Sequence, residues 1–105
     1  MVFDISKVSG IGKYVVKTEK KDEKERTLYF KGEKVFLVVN KNTIEVRTDE
    51  ELRKLLVEKY ESVMESRYFG KGGVEIVLAG EQLKENEIFD LVRLSYNLTG
   101  GFLTK

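Results

Sequence analysis

The sequence contains no cysteine, no histidine and no proline. Without cysteine there is no disulfide bond, no thiolate zinc site and no cysteine nucleophile. Without histidine, imidazole acid–base catalysis and histidine metal ligation are also excluded. Ser95 and Tyr96 have only carboxylates and lysines as candidate bases, which argues against nucleophilic catalysis. We therefore expect a protein that is not an enzyme and that uses no metal or cofactor.

Long apolar runs are also missing, since none approaches the roughly 18 residues needed to cross a bilayer. The first seven residues lack the basic-then-apolar order of a signal peptide. These absences predict a cytoplasmic protein that does not bind membranes. The abundance of lysine and glutamate is typical of thermophiles, although the absence of proline removes one of their usual stabilising devices.

The 105 residues, of which 41% are apolar and 35% charged, suit one domain spanning residues 1–105. Alternating and apolar runs in the first half predict a meander of antiparallel strands over residues 13–18, 26–31, 34–39 and 43–47. The run over 34–39 is apolar on both faces, which predicts a central strand. Gly32 suits a type II′ turn. In the last of these strands we expect Ile44 to be buried and Glu45 to be exposed.

The hydrophobic period changes at Thr48, where Thr48 to Glu51 match a capping box. Apolar residues then recur at three- and four-residue steps, which predicts a helix from Thr48 to about Ser66. A further strand over residues 74–79 and a second helix over 85–98 follow, and Gly100 and Gly101 should end that helix. The predicted fold is α+β, an antiparallel sheet of about five strands with two helices packed on one face.

A glycine-rich segment between the first helix and the next strand is a candidate anion-binding loop. Unhindered glycine amides beside basic side chains can form an anion nest, and the residues concerned are Arg67, Gly70, Lys71, Gly72 and Gly73. The spacing is not that of a P-loop, whose glycines run from a strand into a helix. A helix C-cap followed by a flexible turn is the alternative.

The segment from Glu19 to Arg26 carries four basic and four acidic residues. It has no apolar side chain to bury, which predicts a solvated loop. As a wing on DNA it would need its lysines to face one way and its acids another, since phosphates repel carboxylates. Two further groups have ordinary structural explanations, core packing for Tyr14, Tyr29, Tyr68 and Phe69 and helical ion pairing for Glu58, Glu61 and Glu65.

Three segments resemble the MmcQ/YjbR-like family, which is related to the N-terminal domain of TfoX-type regulators. They are residues 31–38, which resemble its glycine–lysine strand entry, residues 68–78, which resemble its loop and strand after the first helix, and residues 91–96, which are similar to its closing helix with a Ser-Tyr pair. The resemblance covers roughly residues 26–98. It implies a compact α+β domain, similar to the frataxin-like arrangement, in which hairpin wings have been proposed to contact DNA.

The charge distribution supports the same expectation, because residues 1–47 hold 11 basic and 7 acidic residues and residues 48–105 hold 8 and 11. We expect a DNA-binding or regulatory module that contacts the phosphates of duplex DNA. The predicted contacts are Lys13, Lys17, Lys20, Lys21, Lys24, Arg26, Lys31 and Lys34. The alternatives are a protein-interaction module, such as a homodimer through a sheet edge or the Phe102-Leu103 tail, and a protein that binds a small anionic ligand at residues 69–73.

Overall fold

A six-stranded antiparallel sheet with strand order β1-β2-β3-β4-β6-β5 forms the centre of the computed structural model, which describes residues 2–101. The strands are β1 (Val15–Lys21), β2 (Lys24–Lys31), β3 (Lys34–Val39), β4 (Thr43–Arg47), β5 (Val63–Ser66) and β6 (Gly70–Val77). Two α-helices, α1 (Glu50–Lys59) and α2 (Glu85–Gly101), and two 3₁₀ turns, Ile5–Lys7 and Leu78–Gly80, complete these residues. The α+β prediction is confirmed, with six strands rather than about five.

Both helices cover the same face of the sheet, here called the inner face. Leu56 of α1 and Val92 of α2 belong to one buried cluster with Phe36, Ile44 and Ile76 from the strands. The opposite face, here called the outer face, carries a smaller apolar cluster of Leu28, Val35 and Val38, against which Phe30 and Phe69 pack. Strand β3 contributes to both clusters, which confirms its prediction as a central strand and explains why it is apolar on both sides.

The first helix ends earlier than its hydrophobic spacing predicts. Helix α1 stops at Lys59, and the residues from Val63 onward form β5, which pairs with β6. Val63 lies opposite Ile76 on the inner face, so it is buried as a strand residue rather than on a helical stripe. Leu55, predicted to be on that stripe, is 61% exposed. The prediction of a helix through Ser66 was wrong because tertiary pairing with β6 outweighs the local period.

The start of α1 is capped by Asp49 and not by Thr48. The Asp49 carboxylate accepts a hydrogen bond of 2.7 Å from the Leu52 amide. Thr48 is buried, and its hydroxyl has no hydrogen-bond partner within residues 2–101. The predicted capping box is thus replaced by a single carboxylate cap, which also favours the positive end of the helix dipole.

Helix α2 connects to the sheet through Ser95 and Tyr96. The Ser95 hydroxyl is buried, donates to the Phe36 carbonyl at 2.5 Å and accepts from the Arg47 amide at 2.7 Å. Tyr96 packs edge-on against Phe36 at 4.9 Å between ring centroids. The helix continues through Gly100 and Gly101 rather than ending before them, and the Phe102-Leu103 tail lies outside the described residues. Within those residues, neither helix has the length and apolarity that a membrane span requires.

Candidate nucleic-acid interface

The charged segment at Glu19–Arg26 is not a loop but the tip of a regular hairpin. Strands β1 and β2 pair up to Lys21 and Lys24, and only Asp22 and Glu23 form the turn. Both turn residues have positive φ, 52° and 63°, as in the type I′ turns that match the twist of two-residue hairpins. The prediction of a solvated loop was wrong. The tip of this strand pair carries almost no apolar residues that would mark it as strand in the sequence, and the hydrogen bonds between the two backbones hold it together.

The register of the hairpin sorts its charges onto the two faces of the sheet. Lys17 lies opposite Leu28, a residue of the outer apolar cluster. Since side chains alternate along a strand and opposed residues share a face, every second residue of β1 and its partner on β2 point outward. The charged residues placed on the outer face in this way are Lys17, Glu19, Lys21, Lys24 and Arg26. The inner face of the hairpin receives Lys20 opposite Glu25.

The single acid on the outer face of the hairpin is neutralised within the hairpin itself. Glu19 and Arg26 lie opposite each other, form an ion pair and share a hydrogen bond of 2.6 Å from Arg26 Nε. The Arg26 guanidinium also lies 5.1 Å from the centre of the Tyr68 ring. Lys17, Lys21 and Lys24 are exposed and form no ion pair within residues 2–101. The outer face therefore presents three uncompensated lysines.

The other predicted phosphate contacts lie away from this group. Lys31 donates to the Tyr96 carbonyl at 3.0 Å and stands 4.2 Å over the Tyr96 ring, so it contacts α2. Lys34 lies opposite Lys31 at the β2–β3 turn, and Lys13 precedes β1, where its carbonyl accepts from the Tyr96 hydroxyl. These three mark the far end of the hairpin from the Asp22–Glu23 turn. The structure brings together Lys17, Lys21, Lys24 and Arg26, and places Lys20 on the opposite face.

Two buried glutamates lie on the outer face of β4 and β6, beyond the intervening strand β3. Glu45 and Glu75 lie opposite each other on β4 and β6 and are only 2% and 1% exposed. The prediction that Glu45 is exposed was wrong because the β5–β6 turn folds over it. Glu45 accepts hydrogen bonds from the Ser66 hydroxyl at 2.7 Å, the Tyr68 amide at 2.8 Å and the Asn40 side chain at 2.9 Å.

Glu75 is held by a guanidinium at the rim of the same network. Arg67 Nε and Nη2 donate to its two oxygens at 2.9 and 2.6 Å, and the Thr43 hydroxyl donates at 2.7 Å. Burial alone would raise the pKa of Glu75, but the hydrogen bonds from Arg67 and Thr43 and the charge of Arg67 outweigh it and lower that pKa. The Arg67 side chain itself is 70% exposed. Sequence reasoning missed this network because its members come from five separate strands and turns.

An open groove of about 1040 Å³ separates the hairpin tip from the β3–β4 turn. Its wall on one side is Lys21 to Thr27, its other wall is Val39 to Thr43, and Glu45 and Arg67 lie between them. Lys41 on the second wall adds a further exposed cation. The lining of the groove is of mixed charge, with five basic and four acidic residues.

The glycine-rich segment connects two strands, not a helix to a strand as predicted. Gly72 and Gly73 lie within β6. A Cβ atom at Gly73 would stand 2.4 Å from the Val46 carbonyl oxygen and 2.9 Å from Phe69 Cβ, so glycine permits close packing there. The Gly72 amide donates to the Phe69 carbonyl. Since Arg67 turns to Glu75, the structure does not gather Arg67, Gly70, Lys71, Gly72 and Gly73 around one point.

The structure fits core packing for the four aromatic residues but not helical ion pairing for the three glutamates. Tyr14 contacts Tyr29 edge-on at 5.7 Å between ring centroids, and Tyr68 contacts Phe69 at 5.0 Å, so all four aromatic residues have packing partners. The acidic residues Glu58, Glu61 and Glu65 do not share a helix, because only Glu58 lies in α1. Among residues 2–101 no group of three metal-ligating side chains occurs.

Comparison with known proteins places the fold in a family. The model of the YjbR family matches residues 13–98, which run from just before β1 into α2. Neither the comparison with curated proteins nor the comparison with solved structures gives a match. The matched region contains all six strands and both the hairpin and the Glu45–Glu75 network. The chain therefore belongs to the YjbR family.

Proposed function

We propose that the chain is a non-enzymatic DNA-binding module that lays the outer face of the β1–β2 hairpin against duplex DNA. The observation that carries the proposal is the register of the hairpin. It places Lys17, Lys21 and Lys24 on one face and leaves Glu19, the only acid there, paired to Arg26. This is the sorting of lysines from acids that a phosphate-binding wing requires.

The geometry favours contact through the face of the hairpin and not through its tip. The turn residues Asp22 and Glu23 carry two negative charges, which phosphates would repel. Next to this turn the hairpin is a two-stranded ribbon as far as the Glu19–Arg26 pair, because β2 pairs with β3 only from Thr27 onward. Two-stranded ribbons are among the elements that fit the major groove of B-DNA.

The lysines on this face set the expected strength of the interaction. Three phosphate contacts correspond to a slope of about −2.7 in a plot of log K against log salt concentration, since each contributes about −0.9. Contacts of this kind position a protein on DNA without reading its sequence. We expect weak binding that depends strongly on salt and little on DNA sequence.

Fluorescence anisotropy with a labelled DNA duplex tests the proposal. Affinity at low salt should fall with added salt at the slope given above. Lys21→Gln should lessen the steepness of that slope by about 0.9, because one phosphate contact is lost. Lys20→Gln is the matched control, since Lys20 is the adjacent exposed lysine but faces inward, opposite Glu25.

Two results of this experiment would count against the proposal. Equal effects of the two variants would mean that only net charge matters, which would contradict a role for the outer face. Failure to bind duplex DNA even at low salt would overturn the proposed function. Protein–protein interaction, one of the two alternatives raised by the sequence, concerns a sheet edge or the Phe102-Leu103 tail and does not compete with this charge argument.

A further inference from the structure

Strand β1 forms one edge of the sheet and has exposed apolar side chains. Within residues 2–101 it pairs with β2 alone. Val15 is 63% exposed and Val16 is 50% exposed. A seven-residue edge strand with accessible backbone groups is a template for pairing with another strand.

The hairpin turn determines which backbone groups of β1 face outward from the sheet edge. Residues that close a two-residue hairpin exchange both of their hydrogen bonds, and here these are Lys21 and Lys24. The ladder from there to Val15 contains no bulge, so alternate residues of β1 bond to β2. The intervening residues, Val16, Thr18 and Lys20, direct their N–H and C=O groups away from the sheet. Three donors and three acceptors therefore line this edge.

We propose that this edge pairs antiparallel with β1 of a second copy of the chain, with Thr18 of both copies facing each other at the two-fold axis. In this register Lys17 of each copy lies opposite Glu19 of the other. Thr18 meets Thr18, and Val16 meets the aliphatic stem of Lys20. Six backbone hydrogen bonds join the two strands, and the exposed Val15 and Val16 gain neighbours.

Charge selects this register over its neighbours. A shift that centres the axis on Lys17 would oppose two lysines, and a shift that centres it on Glu19 would oppose two glutamates; like charges directly opposite each other destabilise a strand pair. In a register whose two-fold axis passes between two neighbouring residues, each residue would lie opposite one whose side chain points to the other face of the sheet. Lysines on edge strands usually discourage pairing, but here the Thr18-centred register gives Lys17 an acidic partner.

The intramolecular ion pair of Glu19 is compatible with this arrangement. A carboxylate offers about four acceptor sites, and Arg26 uses one oxygen of Glu19. Lys17 of the second copy can therefore join Arg26 at the same carboxylate. The two-fold axis runs perpendicular to the sheet, so the dimer has a continuous twelve-stranded sheet with both outer faces on the same side. The dimer would give Lys17 an acidic partner and so would weaken one of the three proposed phosphate contacts, and its test uses the protein without DNA.

Charge reversal in sedimentation velocity experiments tests the register. Strand pairing alone buries less surface than a stable dimer interface, so a weak, concentration-dependent dimer is expected. Lys17→Glu and Glu19→Lys should each weaken self-association by about tenfold, since two attractive pairs become repulsive. An equimolar mixture of the two variants should associate as a heterodimer, and the double variant should associate with itself.

Two further variants separate dimerisation from folding. Lys24→Glu makes the same charge change on the outer face one strand away from the edge and should leave the dimer intact. Thr18→Pro removes an N–H that faces away from β2, so it should abolish the dimer while circular dichroism shows a folded chain. A wild-type chain that is monomeric at every concentration would overturn the proposal. A dimer that survives both Thr18→Pro and the single charge reversals would also overturn it.

Discussion

The Arg67–Glu75 ion pair yields a prediction that depends on the unequal burial of its two members. Arg67→Ala would leave the Glu75 carboxylate, which is 1% exposed, without its charged partner and with the Thr43 hydroxyl and the backbone of residue 67 as hydrogen-bond donors. Glu75→Gln would leave Arg67 without its partner, but that side chain is 70% exposed and can be hydrated. Removing the arginine should therefore cost more stability than neutralising the glutamate, since an unpaired buried charge is the larger penalty.

The penalty for leaving the Glu75 charge unpaired has an upper bound set by protonation. A buried carboxylate that loses its partner can take up a proton. The ordinary pKa of a glutamate is 4.5, so protonation at pH 7 costs about 1.36 kcal/mol for each pH unit between 4.5 and 7. The bound is thus about 3.4 kcal/mol, and we expect Arg67→Ala to lower the free energy of unfolding by about 3 kcal/mol. For Glu75→Gln we expect about 1.5 kcal/mol, the lower end for a lost hydrogen bond to a charged group.

The pH dependence follows from the lowered pKa of Glu75. Because this pKa is lower in the folded state than in the unfolded state, the ion pair stabilises the protein above pH 4.5 and this contribution is lost as the pH falls through the folded-state pKa. The difference between wild type and Arg67→Ala should therefore be largest near neutral pH and shrink in acid. Urea unfolding followed by circular dichroism at several pH values measures it.

A surface ion pair provides the control. Lys54 and Glu50 are paired at 3.5 Å, but both side chains are about two-thirds exposed, so Lys54→Ala should cost no more than about 0.5 kcal/mol. Equal destabilisation by Arg67→Ala and Glu75→Gln, or a cost of Arg67→Ala that does not change with pH, would refute the reasoning from burial.

Two further predictions concern local packing. Gly73→Ala should lower the free energy of unfolding by about 1–3 kcal/mol through overpacking, whereas the neighbouring Gly72→Ala, whose nearest added contact is 3.4 Å, should cost clearly less; a comparison of their melting temperatures checks this, and equal losses would contradict it. Thr48→Val should be neutral or stabilising because its buried hydroxyl lacks a partner within residues 2–101, while Asp49→Ala should cost about 1 kcal/mol as a lost helix cap. A larger loss from Thr48→Val in urea unfolding would restore the capping-box interpretation.

The sequence predicted those elements whose pattern is set by burial on the sheet or against it. Strand β3 was recognisable because apolar residues fill both of its faces, and α2 because Ile88, Val92 and Ser95 form one inward stripe. The inward position of Ser95 was also predictable from this spacing. In each case the apolar pattern along the sequence matches the burial of these residues in the folded chain.

The sequence failed where long-range pairing decides the structure. Val63 and Met64 continue the helical spacing of α1, and only pairing with β6 makes them strand residues. The tip of the β1–β2 hairpin has no apolar alternation, and its turn uses Asp22 and Glu23 in place of the usual asparagine and glycine. Its backbone ladder is invisible to hydrophobic pattern analysis.

The candidate interface was only partly predictable for the same reason. Composition identified the basic excess of the first half, but the sorting of its lysines depends on register, which one residue of slip would reverse. Three of the eight predicted contacts, Lys13, Lys31 and Lys34, lie at the other end of the hairpin. The burial of Glu45 depends on donors from Asn40 and the β5–β6 turn, which the chain brings together only when folded.

Lysine side-chain resonances, followed by nuclear magnetic resonance during addition of a DNA duplex, would show which face of the β1–β2 hairpin contacts the phosphates. They report separately on side chains that alternate along a single strand. We predict that Lys17, Lys21 and Lys24 shift together, while Lys20 on the opposite face stays near its free position. Shifts of Lys20 as large as those of Lys21, or shifts confined to lysines outside the hairpin, would contradict binding through the outer face.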